Sequence, residues 1–458
     1  MAVEPAASRG GGPSSLATAA PMGRRMIANK WAPRIALCLV LIFSFGAKAI
    51  DLNQPCESPC KAHSKYTLIF DESYYVNAAR VIAGINPPAG EPYHDTPLYD
   101  DPNAEHPQLA KLAIAAGIEI FGDNTTGWRA GSILFALIAL IALYALVRAC
   151  GGGPWLAAGA SAVMALDNLM LVHGRIGTLD IYAVAMMLVA AAFYMRRRPL
   201  LAGLALGVAA CMKEVALSLL LVFALMEALQ IARVWLREHE SVRQATLARG
   251  RQFGLFLLAG ALGTLGLLWL LDVLVPAYDP GTHTLYAGNP FSHLAHMYEY
   301  AQLLKTKPGE TGIASDPLAW LLNEKPINYA RVAVSTSVAG KVVATHDTIR
   351  FEGVMNPFII FLTIPALFAA LAAAWKTGER VAALGACWCL GTYLPYLFGS
   401  AVSGRISYLY YMVTVMPGVY LVVTRLFASK HMPRAATVGW AIALIYGFVH
   451  LYPIRTLL

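Results

Sequence analysis

Asp71-Glu72 and Glu105-His106 place three carboxylates and an imidazole in one acidic stretch of the chain. A carboxylate within hydrogen-bond reach can take the proton of an attacking hydroxyl. Four cations, Arg129, Arg175, Lys213 and Arg405, stand at the ends of apolar runs. Arg offers a planar fork that suits phosphate oxygens, and Lys offers a point charge. One base for a hydroxyl and cations for a departing phosphate are enough to displace a lipid-borne phosphate from a sugar carbon. On this reading Asp71 is the base and Glu72 supports it. Glu105, His106 and Asp180 position substrate, while Arg129, Arg175, Lys213 and Arg405 bind the donor phosphate. Asp180 is expected to pair across helices, because its offset from Arg175 does not put the two on one helix face.

The elements that hold these residues must be solvated by lipid. The 458-residue chain is 57% hydrophobic and only 14% charged, a composition foreign to a water-soluble domain. Eleven apolar runs are long enough to be read as helices crossing a core of roughly 30 Å: 33–50, 128–150, 154–173, 176–195, 199–212, 215–235, 252–276, 356–375, 381–399, 405–424 and 434–453. The expected fold is therefore an all-α polytopic membrane protein with about 11 transmembrane helices. Lys and Arg are retained on the cytoplasmic side. Arg196-Arg197-Arg198, the basic residues of 233–251, Lys376, Arg380, Lys430 and Arg434 all fall there if the N-terminus is inside. That orientation explains most of the net charge of +8 without nucleic acid, and it makes Arg129, Arg175, Lys213 and Arg405 the exceptions, at outer span ends. A charge at such a position costs a few kcal/mol unless it is paired or snorkels, so a ligand outside is the expectation.

Residues 1–32 read as a cytoplasmic tail without apolar periodicity. Residues 33–453 form the transmembrane domain, and 454–458 an external end. Ala47-Lys48-Ala49 has the small-x-small form of a cleavage site, but the long basic lead and the charge-consistent topology favour a retained anchor. The first external segment, 51–127, carries eleven of the 27 acidic residues. A helix is expected from Asp71 to Arg80, and an interfacial amphipathic one from Gln108 to Phe121. The second external segment, 277–355, is expected to hold a helix over 291–305 and a hairpin from Arg331–Val334 to Lys341–Val343 across Ala339-Gly340. Cys56 and Cys60 have a spacing that an oxidising compartment could close into a disulfide loop; a metal pair is the rival reading. The cytoplasmic connections are too short for a nucleotide-binding domain, and no Gly-rich phosphate loop is present. An activated donor must then arrive in the membrane.

In order along the chain, these elements resemble the protein O-mannosyltransferases, a branch of the multispanning C-type glycosyltransferases. Phe70-Asp71-Glu72-Ser73-Tyr74-Tyr75 resembles that family's first-loop acidic pair, and Glu105-His106-Pro107-Gln108-Leu109-Ala110-Lys111 its acid-His-Pro-Pro-Leu-Gly-Lys element. Trp128-Arg129, the Arg175 to Asp180 step, Lys213, Asn356-Pro357 and Arg405 through Tyr411 with Pro417 are similar to later elements. The departures are Gln108 for the second Pro, Ala110 for Gly and Glu214 where Trp is usual. The resemblance implies transfer of mannose, with inversion, from polyprenyl-phosphate mannose to Ser or Thr of a secreted protein at the extracytoplasmic membrane face. It also implies the smaller prokaryotic form, without a β-trefoil insertion.

Two other readings use the same residues. A related transferase would deliver a sugar to a glycolipid or cell-wall glycan. A transporter would also need many spans and intramembrane charge, but it fits the large acidic loop poorly, and the two halves show no inverted repeat. No metal ligand set is assigned; a divalent cation held among Asp71, Glu72, Glu105 and His106 stays open.

Overall fold

The computed structural model describes residues 30–55, 68–238, 242–305, 312–338 and 341–455. Cys56, Cys60 and the hairpin tip Ala339-Gly340 lie outside the described residues. The chain is a mostly helical polytopic membrane protein. Among the described residues, eight segments are long and apolar enough to cross a membrane. They are built on α1 (Ala32–Ala49), α4 (Thr125–Ala149), α9 (Ser218–Arg233), α10 (Val242–Leu274), α14 (Thr363–Thr377), α15 (Arg380–Ser403), α16 (Met412–Phe427) and α17 (Arg434–Leu451). Three further apolar helices are shorter: α5 (Pro154–Ala165), α7 (Asp180–Met195) and α8 (Pro199–Met212).

The expected third run, 154–173, is not one helix. It breaks after α5, and α6 (Asn168–His173) starts anew. Asp167 at the break has an extended backbone, φ −95° and ψ 130°. Its carboxylate accepts from the Asn356 backbone N–H at 2.7 Å and from the Tyr420 hydroxyl at 2.7 Å. A buried carboxylate must be satisfied, and bonding to two distant elements overrides the helical continuity of the flanking apolar residues. The seventh run also differs, since α10 begins at Val242, ahead of the expected 252.

The stretch between α1 and α4 carries α2 (Glu72–Ile82) and α3 (Leu109–Phe121), close to the expected bounds. α3 returns directly into α4, whose first turn is capped by the Asn124 side chain accepting from the N–H groups of Thr126 and Gly127. Two glycines let these helices touch: a Cβ on Gly117 would lie 2.2 Å from the Gly127 carbonyl oxygen, and one on Gly127 would meet Gly122 O at 2.2 Å. Any side chain there would push α3 off α4.

The stretch between α10 and α14 holds a short hairpin, β1 (Ala277–Asp279) with β2 (Thr284–Tyr286), then α11 (Pro290–Leu303) and α12 (Pro317–Trp320). The long antiparallel hairpin β3 (Ile327–Val338) and β4 (Lys341–Gly353) follows, pairing Ile327 with Gly353 and Val338 with Lys341. The one-turn helix α13 (Pro357–Ile360) leads into α14. This stretch packs on the first long one. Asp101 accepts from Tyr278 N and donates its own N–H to Pro276 O, and Phe70 stacks on Tyr329 with ring centroids 4.3 Å apart. The two acidic-to-polar segments therefore share one end of the helical bundle.

Candidate active site

Asp71 sits immediately before α2, and the backbone that delivers it is unusual. Phe70 has φ +54°, a left-handed conformation that a bulky residue adopts only when its surroundings enforce it. Its ring is fixed by the Tyr329 stack and by an edge contact to Tyr410 at 5.3 Å. The consequence is a sharp divergence of neighbours, in which Asp71 faces a cavity and Glu72 turns into the core.

The cavity has a volume of about 330 Å³. Its polar lining comes from Asp71, Glu105, His106, Asp180, Lys213, Glu214 and Arg405, and a wall of tyrosines that includes Tyr408, Tyr410 and Tyr411 closes it. No described residue donates a hydrogen bond to the Asp71 carboxylate. Burial raises the Asp71 carboxyl to about 6; the positive charge of Lys213 holds it down, and Asp180 pushes it further up. That value leaves the group ionised at neutral pH yet basic enough to take a proton.

Lys213 lies at the break between α8 and the 3₁₀ turn Glu214–Leu217, in an extended conformation of φ −159° and ψ 129°. Its Nζ donates to Asp180 Oδ1 at 2.7 Å. Asp180 thus pairs across helices, as its offset from Arg175 requires. His173 bonds the Tyr329 hydroxyl at 2.9 Å. Arg405 reaches the cavity from the turn after α15, which is held by Ile406 N donating to Leu304 O. Its Nε is buried with no hydrogen-bond partner among the described residues.

The loop from Asp101 to Pro107 is pinned from beneath by Lys111 of α3. Its fully buried ammonium pairs with Asp101 and donates to the carbonyls of Asn103 and His106 at 2.5 and 2.8 Å. His293 donates from Nε2 to Ala104 O and shares Asp272 with Gln108. Asn103 donates to Glu105 Oε2 at 2.7 Å. Glu105 and His106 are therefore set by a rigid floor.

Three assigned residues are elsewhere. Glu72 is fully buried, and its carboxylate accepts from Arg129 Nε and Nη2 and from the N–H groups of Gly177 and Ile69. Arg129 spends its Nη1 on the carbonyls of Leu52 and Gln54. Arg175 donates to the carbonyls of Lys48, Ile50 and Asp51. Neither arginine lines the cavity; both tie down the chain leaving α1. The sequence expectation for Glu72, Arg129 and Arg175 is corrected in that respect. A buried guanidinium needs several acceptors, and the frayed carbonyls at a helix end supply them as well as a phosphate would.

Glu214, a departure from the pattern of the family this sequence resembles, lines the cavity and meets His106 Nδ1 through Oε2 at 3.0 Å. Its signal in the sequence was an ionisable residue beside Lys213 in the gap between two apolar runs. No group of three His, Cys, Asp or Glu among the described residues is arranged to hold a metal ion. Glu72 is consumed by Arg129, and the Nδ1 of His106 by Glu214.

The S. cerevisiae protein O-mannosyltransferase Pmt1-Pmt2 complex, solved with its sugar donor, superposes with a TM-score of 0.65 at 11% identity over 92% of this chain and 90% of that one. ArnT from Cupriavidus metallidurans, solved with undecaprenyl phosphate, gives 0.53 at 16% identity over 94% and 77%. The chain shares the fold of these two proteins. Residues 105–249 match the dolichyl-phosphate-mannose-protein mannosyltransferase family model. The polyprenol-phosphate-mannose--protein mannosyltransferase of Corynebacterium glutamicum is 34% identical over 120 residues, which are 26% of this chain and 22% of that protein.

Proposed function

We propose that this chain transfers mannose from polyprenyl-phosphate mannose to Ser or Thr hydroxyls of secreted or membrane proteins, with inversion, from a site on the extracytoplasmic membrane face. The observation that carries the reading is the Asp71 carboxylate. It is open to the cavity and free of donors among the described residues, with Lys213 and the unpartnered Arg405 Nε on the same lining. The family match over residues 105–249 supports mannose as the sugar and a protein as the acceptor.

The acceptor oxygen forms a bond to the anomeric carbon as the bond from that carbon to the phosphate oxygen breaks. Asp71 takes the hydroxyl proton. Charge arriving on the departing polyprenyl phosphate is met by Arg405 and by the two ammonium donors that Lys213 has beyond its bond to Asp180. Asp180 keeps Lys213 aimed, and Glu105 and His106 bind hydroxyls of the substrates. The tyrosine wall excludes water, which would otherwise compete as acceptor.

The test is transfer of radiolabelled mannose from polyprenyl-phosphate mannose to a Ser/Thr/Pro-rich peptide, using membranes containing the parent or Asp71→Asn at matched expression. Label in peptide with the parent alone supports the reading. Label confined to lipid or glycan fractions replaces the protein acceptor with a glycolipid or cell-wall glycan.

A further inference from the structure

Glu214 and His106 are 108 residues apart in sequence and meet at the cavity rather than in the core. The Glu214 side chain is 38% exposed and that of His106 20%. The ring is held from several directions. Nδ1 lies 3.0 Å from Glu214 Oε2, the ring packs against Tyr75 with centroids 5.9 Å apart, and its backbone carbonyl accepts from buried Lys111. Its Nε2 makes no hydrogen bond to any described residue and is not sealed in the interior. An imidazole held by two elements and a carboxylate, with one nitrogen left open to a cavity, is arranged to bind something there.

The chemistry of the pair follows from proton counting. A carboxylate only accepts, so Nδ1 must carry the hydrogen it shares with Glu214. In the neutral ring the lone pair then resides on Nε2. We propose that Glu214 is a positioning residue which fixes His106 as the Nδ1–H tautomer, so that Nε2 accepts a hydrogen bond from a substrate hydroxyl in the cavity. That hydroxyl belongs either to the sugar being transferred or to the acceptor. The assignment rests on the transfer reaction proposed above, and it gives a role to a residue at which this chain departs from the family pattern. The same partnership is familiar where a second carboxylate orients a histidine that binds through its other nitrogen.

The full chain, purified in detergent with ¹⁵N-labelled histidine, supplies a readout that does not depend on turnover. The His106 signals, assigned by their disappearance in His106→Gln, are expected to show, for the neutral ring, a protonated Nδ1 and an unprotonated Nε2. Glu214→Ala should mix the tautomers, and Glu214→Gln should preserve Nδ1–H because an amide oxygen still accepts. In the transfer assay, Glu214→Ala and His106→Gln should each lower kcat/KM by about ten- to a hundredfold. Glu214→Gln should recover most of that loss, and the Glu214→Ala/His106→Gln double variant should be no worse than His106→Gln alone. A rise in KM for polyprenyl-phosphate mannose would locate the hydroxyl on the sugar, and a rise in KM for the peptide would locate it on the acceptor. A parent His106 protonated on Nε2, or losses that multiply in the double variant, would overturn the proposal. Absence of mannose transfer by the parent would instead remove the transfer reading and leave the tautomer spectrum to judge the pair.

Discussion

Arg129 grips Glu72 through a fork, Nε to Oε1 and Nη2 to Oε2, each at 2.8 Å, with both side chains fully buried. Asp71, one residue earlier, faces the cavity. Two adjacent carboxylates therefore sit in different surroundings: one ties α2 to α4 and to the loop after α6, and the other lines the cavity.

Glu72 and Arg129 should accordingly behave as stability residues. Removing one partner of a buried pair leaves an uncompensated charge and costs about 3–5 kcal/mol. Glu72→Ala and Arg129→Met are expected to lower the thermal unfolding midpoint of the detergent-solubilised protein by several degrees or more. Protein that survives purification should keep the parent KM for donor. A normal midpoint with a much raised donor KM would restore Arg129 to the phosphate site.

Asp71→Asn removes the base while keeping size and shape. The expected result is a loss of about 10² to 10⁴ in transfer rate with an unchanged unfolding midpoint, read from radiolabelled mannose transfer and a thermal melt on the same preparation.

The pH profile should carry the Asp71 titration. The base works ionised, and burial raises its carboxyl to about 6. Activity is therefore present above that value and lost as pH falls through it. kcat/KM for mannose transfer should show an acid limb with its midpoint near 6. Lys213 favours the ionised form, so the residual activity of Lys213→Met should show the limb displaced upward. A limb near 4, the usual carboxylate range, would detach the profile from Asp71.

Arg405 should act on donor. Its Nε has no partner among the described residues, and the side chain lines the cavity. Arg405→Gln is expected to raise KM for polyprenyl-phosphate mannose about tenfold or more, with a smaller effect for Arg405→Lys, which keeps the charge and loses the fork. Equal KM values across parent, Gln and Lys would place the phosphate elsewhere.

The apolar runs by themselves determined the membrane class and most helix bounds, because lipid forces backbone hydrogen bonds to close within a segment. α8 occupies 199–212 as expected, and α2 and α3 fall within two residues of their expected starts. Residue types and order also singled out Asp71, Glu105, His106, Asp180, Lys213 and Arg405, all of which line one cavity. Tertiary structure alone decided which charges reach it. Glu72, Arg129 and Arg175 look no different in sequence from their neighbours, but each found partners in the core. Glu214 looked like a mismatch and reached the cavity through the break at Lys213. A charge near a membrane must be neutralised by something. Whether that something is another side chain, a frayed helix end or a ligand depends on distances between segments far apart in the chain, which periodicity and composition do not contain.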